Sequence, residues 1–112
     1  MARRQSRFIN GVPELLILRL LSQDEMYGYQ LVRTIRETTQ GEFPMGEGVI
    51  YPLLHSLEAD GFLKTRSEEI KGRMRHYYRL TRKGERRLSE LSGEFMRVRD
   101  IVTSLLEKPS LA

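Results

Sequence analysis

Three observations predict a mainly α (α+β) fold for this 112-residue chain. The run GVIYPLLHSLEADG (48–61) reads as one helix closed by a glycine. FLKTRSEE, IKGRMR and HYYRLTRKG follow at once, and read as a strand, a basic glycine-bearing turn and a second strand. Near the end, Leu88, Leu91, Phe95, Val98, Val102 and Leu105 recur at spacings of three and four residues, a heptad seam. Together they describe a winged helix-turn-helix with a C-terminal dimerisation helix. Such a head offers a helix sized for a major groove and a hairpin whose tip brings positive charge to phosphates.

Each element has its own signals. Asn10 is a candidate N-cap, and Pro13 falls in a first turn, where its missing N–H costs least. Leu15 to Leu18, Leu20 and Leu21 then make a helix apolar on most faces, ending near Ser22. A polar connection, Gln23 to Glu25, leads to a second helix from about Tyr27 to Thr39, with Gly28, Leu31, Val32 and Ile35 as its inner stripe. Gln40 to Pro44 is a stop and a turn. The third helix spans about Gly46 to Asp60, with Val49, Ile50, Leu53, Leu54 and Leu57 on one face, and Gly61 takes the position after the C-cap. Pro52 lacks the N–H that would bond the Gly48 carbonyl, which predicts a distorted first turn. Strands are expected over Phe62–Glu68 and Arg75–Leu80. In the second, Met74, His76, Tyr78 and Leu80 alternate with Arg73, Arg75, Tyr77 and Arg79, an apolar face against a basic one. Tyr27 and Tyr29 are expected in the core or between helices.

The last helix runs from about Arg82 to Glu107. Burying a seam side chain is worth roughly 1.5–3 kcal/mol, so six give on the order of 10 kcal/mol per chain as an upper bound. A lone helix does not leave that stripe in water. The regular spacing points to pairing with a second copy, against the simpler alternative of folding back on its own domain. The expected organisation is a basic arm at 1–9, a winged-helix domain at 10–81, the dimerisation helix at 82–108 and a tail at 109–112.

Composition narrows the function classes. The absence of cysteine excludes disulfides, cysteine-held metals and thiol nucleophiles. VPELLILRLL follows three arginines like a secretory leader, but Glu14 and Arg19 interrupt it and no small-residue cleavage site follows. No stretch is long and apolar enough to cross a bilayer, so a cytoplasmic, nucleoid-associated protein is expected. The net charge is only +4, but residues 64–87 hold ten bases and three acids, and residues 1–10 add Arg3, Arg4 and Arg7 without an acid. Concentrated charge of this kind suits a polyanion; a solvated charged surface is the plain alternative. His55 and His76 lie in different elements without metal-ligand spacing, and no nucleophile elbow, phosphate loop or dinucleotide fingerprint is present. No enzyme activity, metal or cofactor is expected.

The candidate DNA contacts are Tyr51, His55, Ser56, Lys71, Arg73 and Arg75. The Tyr51 hydroxyl suits a phosphate and its ring a sugar or a thymine methyl; packing beneath the wing is the competing role. His55 and Ser56 follow one turn later, able to meet base edges or phosphates, or only water. Lys71 and Arg73 flank Gly72, which permits a left-handed turn, and Arg75 follows, so three cations cluster at the wing tip. Glu47 favours the helix dipole as a cap but repels phosphate. Leu88, Leu91, Phe95, Val98, Val102 and Leu105 form the candidate dimer interface, where Phe95 and Met96 are positioned to line an inter-subunit cavity.

GYQL (28–31), GVIYPLLHSLEADGFL (48–63) and RHYYRLTRKG (75–84) together resemble the PadR family of bacterial transcriptional regulators, over about residues 10–90. The resemblance implies a homodimeric winged-helix repressor, often of detoxification, stress or drug-efflux genes. It implies a recognition helix at about 46–60, where Tyr51 matches the family's tyrosine, and a wing at about 62–80. One helix after the wing resembles the short subfamily, which dimerises through it. Many members release a near-palindromic operator when a small aromatic effector binds, some at the dimer interface; Phe95 matches an aromatic position there loosely. Glu47 departs from the pattern. The rival expectation is a protein-interaction module whose heptad helix binds another chain, with DNA incidental.

Overall fold

The computed structural model describes residues 11–43 and 45–109. The basic arm with Arg3, Arg4 and Arg7, the proposed cap Asn10, Pro44 and the last three residues lie outside them. The elements are α1 (Val12–Gln23), β1 (Met26–Tyr27), α2 (Gly28–Thr38), α3 (Glu47–Ala59), β2 (Leu63–Ile70), β3 (Arg73–Leu80) and α4 (Arg82–Leu106). The architecture is the expected winged helix-turn-helix: a three-helix head, a projecting hairpin and a long final helix.

Ile17, Leu18 and Leu21 of α1, Leu31, Val32 and Ile35 of α2, and Ile50, Leu54 and Leu57 of α3 form the core, closed by Met45, Leu63 and Tyr78. The inner stripe expected of α2, glycine included, is the set that is buried. α3 continues through Pro52 without a break. It ends as its glycine requires: Gly61 has φ +82°, its N–H bonds the Glu58 carbonyl at 2.9 Å and that of Phe62 bonds Leu57 at 2.9 Å. This doubly bonded termination uses a left-handed residue that glycine adopts without strain.

One element escaped the sequence reading. β1 is two residues long and joins the hairpin at its edge, giving an antiparallel sheet of order β1-β3-β2. The strands also reach further than expected, to a two-residue turn in which Lys71 (φ +50°) and Gly72 (φ +77°) are both left-handed. That pair of positive angles matches the turn type that suits strand twist. Extension changes the environment of β3. The expected apolar face is buried only at its base, at Tyr78; Met74 is 59% exposed because the hairpin has left the core there.

α4 is anchored at its start. The Thr81 hydroxyl caps it, accepting from the Gly84 N–H at 3.0 Å while donating to the Gly61 carbonyl at 2.7 Å. Arg87 grips Glu14 of α1 through Nε–Oε1 (2.9 Å) and Nη2–Oε2 (3.3 Å), and that pairing raises the Arg87 pKa. The heptad seam therefore divides. Leu88 and Leu91 pack on the chain's own core, while Phe95, Val98, Val102 and Leu105, with Met96, Ile101 and Leu106 beside them, stand exposed.

Candidate nucleic-acid interface

Among the sequence-selected residues, α3 contributes Tyr51, His55 and Ser56. The last two are exposed and Tyr51 is half-buried. An open groove of about 270 Å³ separates this helix from the wing, lined by Tyr27, Gly28, Tyr29, Tyr51, His55, Met74, Arg75, His76 and Tyr78. The structure thus joins Tyr51 and His55 of α3 with Arg75 of the wing in one concavity. Lys71 and Arg73 stand apart at the exposed hairpin tip, and Ser56 lies on α3 outside the groove lining.

Tyr51 explains a glycine. A Cβ on Gly28 would lie 2.5 Å from Tyr51 Cε1 and 2.9 Å from its hydroxyl oxygen. The ring rests on the first turn of α2, so packing and groove lining are both roles of this one side chain. Burial, and then the Glu47 carboxylate, push the Tyr51 pKa up. Burial, followed by Glu58 and Tyr51, does the same for Tyr78. Both hydroxyls therefore stay protonated, able to donate, well into alkaline solution. Gly28→Ala is expected to cost about 1–3 kcal/mol through overpacking, read as a lowered thermal midpoint, and Gly28→Ala with Tyr51→Ala should recover part of it.

Three lining residues were missed or misplaced by sequence reasoning. Tyr29, expected to be packed, is 49% exposed. His76 and Met74 were assigned to a sheet face but not to the groove. His76 Nδ1 lies 3.0 Å from Ser67 Oγ across the hairpin. The detectable signal was the alternation of β3, which puts Met74, His76 and Tyr78 on one side. What it lacked was the knowledge that α3 faces that side only at a distance.

Arg75 is already engaged. Its guanidinium lies over the Tyr27 ring, 4.5 Å from the centroid. Glu47 is not a side-chain cap: Gly46 holds the N-cap position, and Glu47 stands in the first turn, where the helix dipole favours it. Phe95 and Met96, the candidate effector residues, lie on the outer half of α4, away from the groove, 44% and 46% exposed. Among the described residues no helix is long and apolar enough to cross a membrane, and no cluster of three His, Asp or Glu residues has a metal-holding arrangement.

Comparison with known proteins adds an independent line. The model of the "Transcriptional regulator PadR-like family" matches residues 17–90. The chain is 42% identical over 67 residues to "Transcriptional regulator YqjI" of Escherichia coli (strain K12), covering 60% of this chain and 32% of that protein. It thus spans about a third of the length of that relative. It is 34% identical over 83 residues to "Transcriptional regulator Rv3488" of Mycobacterium tuberculosis, covering 74% and 75% of the two chains. A PadR-like transcriptional regulator from Bacillus cereus superposes with a TM-score of 0.80 at 32% identity, covering 92% of this chain and 99% of that one. The matched span holds α2, α3, the whole hairpin and the start of α4, so the groove falls inside it.

Proposed function

Because the chain belongs to the PadR-like family of transcriptional regulators, whose members are DNA-binding proteins rather than enzymes, we propose that it acts as a homodimeric repressor of a near-palindromic operator. α3 enters a major groove with Tyr51, His55 and Ser56, and the turn at Lys71 and Arg73 meets the flanking phosphates. Arg75, held on Tyr27, adds its charge at the rim. The first turns of α4 belong to the head, while the exposed outer half pairs with a second copy. A small aromatic effector seated between paired helices near Phe95 and Met96 would relieve repression. Work on DNA in the nucleoid and a cytoplasmic location go with this role.

One observation carries the DNA reading: an open groove between α3 and the wing, on a hairpin whose exposed tip bears Lys71 and Arg73. A dimer that neutralises six to ten phosphates should lose about 10³–10⁵ in affinity between 50 and 200 mM salt. In Lys71→Ala with Arg73→Ala, binding is expected to weaken on every duplex, with the slope of log affinity against log salt becoming shallower by about one for each phosphate no longer neutralised. Titrations at several salt concentrations read both; an unaltered slope shows that the wing tip does not touch the backbone.

The bare apolar outer half of α4 also suits a different chain as partner, the protein-interaction alternative. Sedimentation of the purified protein separates the two. A self-dimer supports the repressor, and a monomer that associates only with another protein supports the alternative.

A further inference from the structure

The third strand joins the wing to the head through only two residues, while α1 packs on the base of β3 and α3 on the base of β2. β1 pairs with β3 only through Met26↔Tyr78 and Tyr27↔Tyr77. Beyond that register His76 to Arg73 and Ser67 to Ile70 run on to the turn without a third strand. At about 3.4 Å per residue this is a lever of roughly 13 Å, and a tilt of about 10° at its base moves the tip by about 2 Å. Hydrogen bonds to phosphate do not survive such a displacement.

A chain of five side chains crosses that junction and touches all three strands. The Glu25 carboxylate, just before β1, accepts from Arg66 Nε at 3.1 and 3.0 Å and also from Nη2. The Arg66 guanidinium lies 4.4 Å from the centroid of Tyr77. Tyr77 meets Tyr27 edge to face, with centroids 5.6 Å apart and planes at 79°. Arg75 covers the Tyr27 ring. Because Tyr27 is also the N-cap of α2, the chain links the hairpin to the helical frame that carries Tyr51. Arg66 pairs with Glu25 and Glu68, so little of its charge is left for a phosphate. Glu25 has the wrong sign for a surface that meets a polyanion unless it holds something in place.

We infer that Glu25, Arg66 and Tyr77, acting through Tyr27 and Arg75, are positioning residues that fix the angle of the wing relative to α3 and so set the groove spacing the head fits. This rests on the DNA-binding reading above. The test titrates the full-length chain and its variants against a duplex selected from a random library and against unselected duplex, at several salt concentrations. Glu25→Ala removes a negative charge, so simple electrostatics demands tighter binding. Positioning demands the opposite: selected-site affinity lower by about twofold to fivefold, the range of an exposed cation–ring contact, with unselected affinity and salt slope unchanged. Arg66→Ala and Tyr77→Ala should match it, and Tyr77→Phe, which keeps the ring, should behave as wild type. Tighter binding by Glu25→Ala overturns the inference. So does a salt slope lowered by about 0.9 in Arg66→Ala, which marks a direct phosphate contact. Should Tyr77→Ala not fold, the two surface substitutions at Glu25 and Arg66 decide alone. A wild-type chain that binds no duplex overturns the DNA reading itself, and this inference with it.

Discussion

Gly84→Ala is expected to lower stability by about 2–3 kcal/mol, whereas Gly93→Ala, further along α4, should raise it by about 0.5–1 kcal/mol. A Cβ at Gly84 would lie 2.2 Å from the Phe62 carbonyl oxygen and 3.0 Å from Leu80 Cδ2. The first obstacle is backbone, which does not rotate away. Phe62 is itself fixed, since its carbonyl accepts the Thr81 N–H at 3.1 Å and its own N–H closes α3. Alanine brings the ordinary helix-propensity gain of about 1 kcal/mol at either glycine, but at Gly84 the collision outweighs it. At Gly93 nothing lies within 4 Å of the added methyl, so only the propensity gain remains. For a domain of this size each kcal/mol moves the midpoint by a few degrees, so Gly84→Ala should melt about 10 °C lower. A Gly84→Ala protein that melts like the wild type would show that α4 does not pack against the end of α3 in solution.

Much of this was legible in the sequence, for a physical reason in each case. The inner stripe of α2 could be read because an amphipathic helix buries residues at a fixed period. Gly61 could be read because only a left-handed residue ends α3 in that way. The wing turn could be read from Lys71–Gly72 between two strand-like runs. β1 could not. A two-residue strand has no period, and its pairing with Tyr77 and Tyr78 exists only after the hairpin folds. Tyr29 was misplaced because it follows the buried Gly28 at the start of α2, where a single aromatic residue does not reveal its face. In the Glu25–Arg66–Tyr77–Tyr27–Arg75 chain, residues in direct contact lie up to 50 positions apart in sequence, and no local rule proposes such a contact. The heptad seam is the instructive case. The same spacing runs through both halves of the seam, so Leu88 and Leu91, which pack on the core, look in sequence like Val98 and Val102, which stand exposed. Only the position of α1 tells them apart.

That division sets the second large effect. Val98→Asp with Val102→Asp is expected to shift self-association by at least about a hundredfold toward monomer. In the isolated chain these residues are 54% and 47% exposed and neither packs on the core, so the substitutions leave the core of a subunit intact. In a symmetric pair each change counts twice, since an isologous interface presents the same patch from both sides. Four buried valines at roughly 1.5 kcal/mol or more each would be removed, and four carboxylates would face a desolvated seam. Even half of that sum exceeds the 2.7 kcal/mol or so that corresponds to a hundredfold. Sedimentation against concentration reads the shift, and the thermal midpoint of the diluted monomer should stay close to that of the wild-type monomer. Operator binding should fall more steeply than half-site binding, because two linked heads profit from effective concentration and a single head does not. A variant that remains dimeric would move the interface elsewhere on the head. A dissociated variant that still binds the operator at full strength would show that one head suffices.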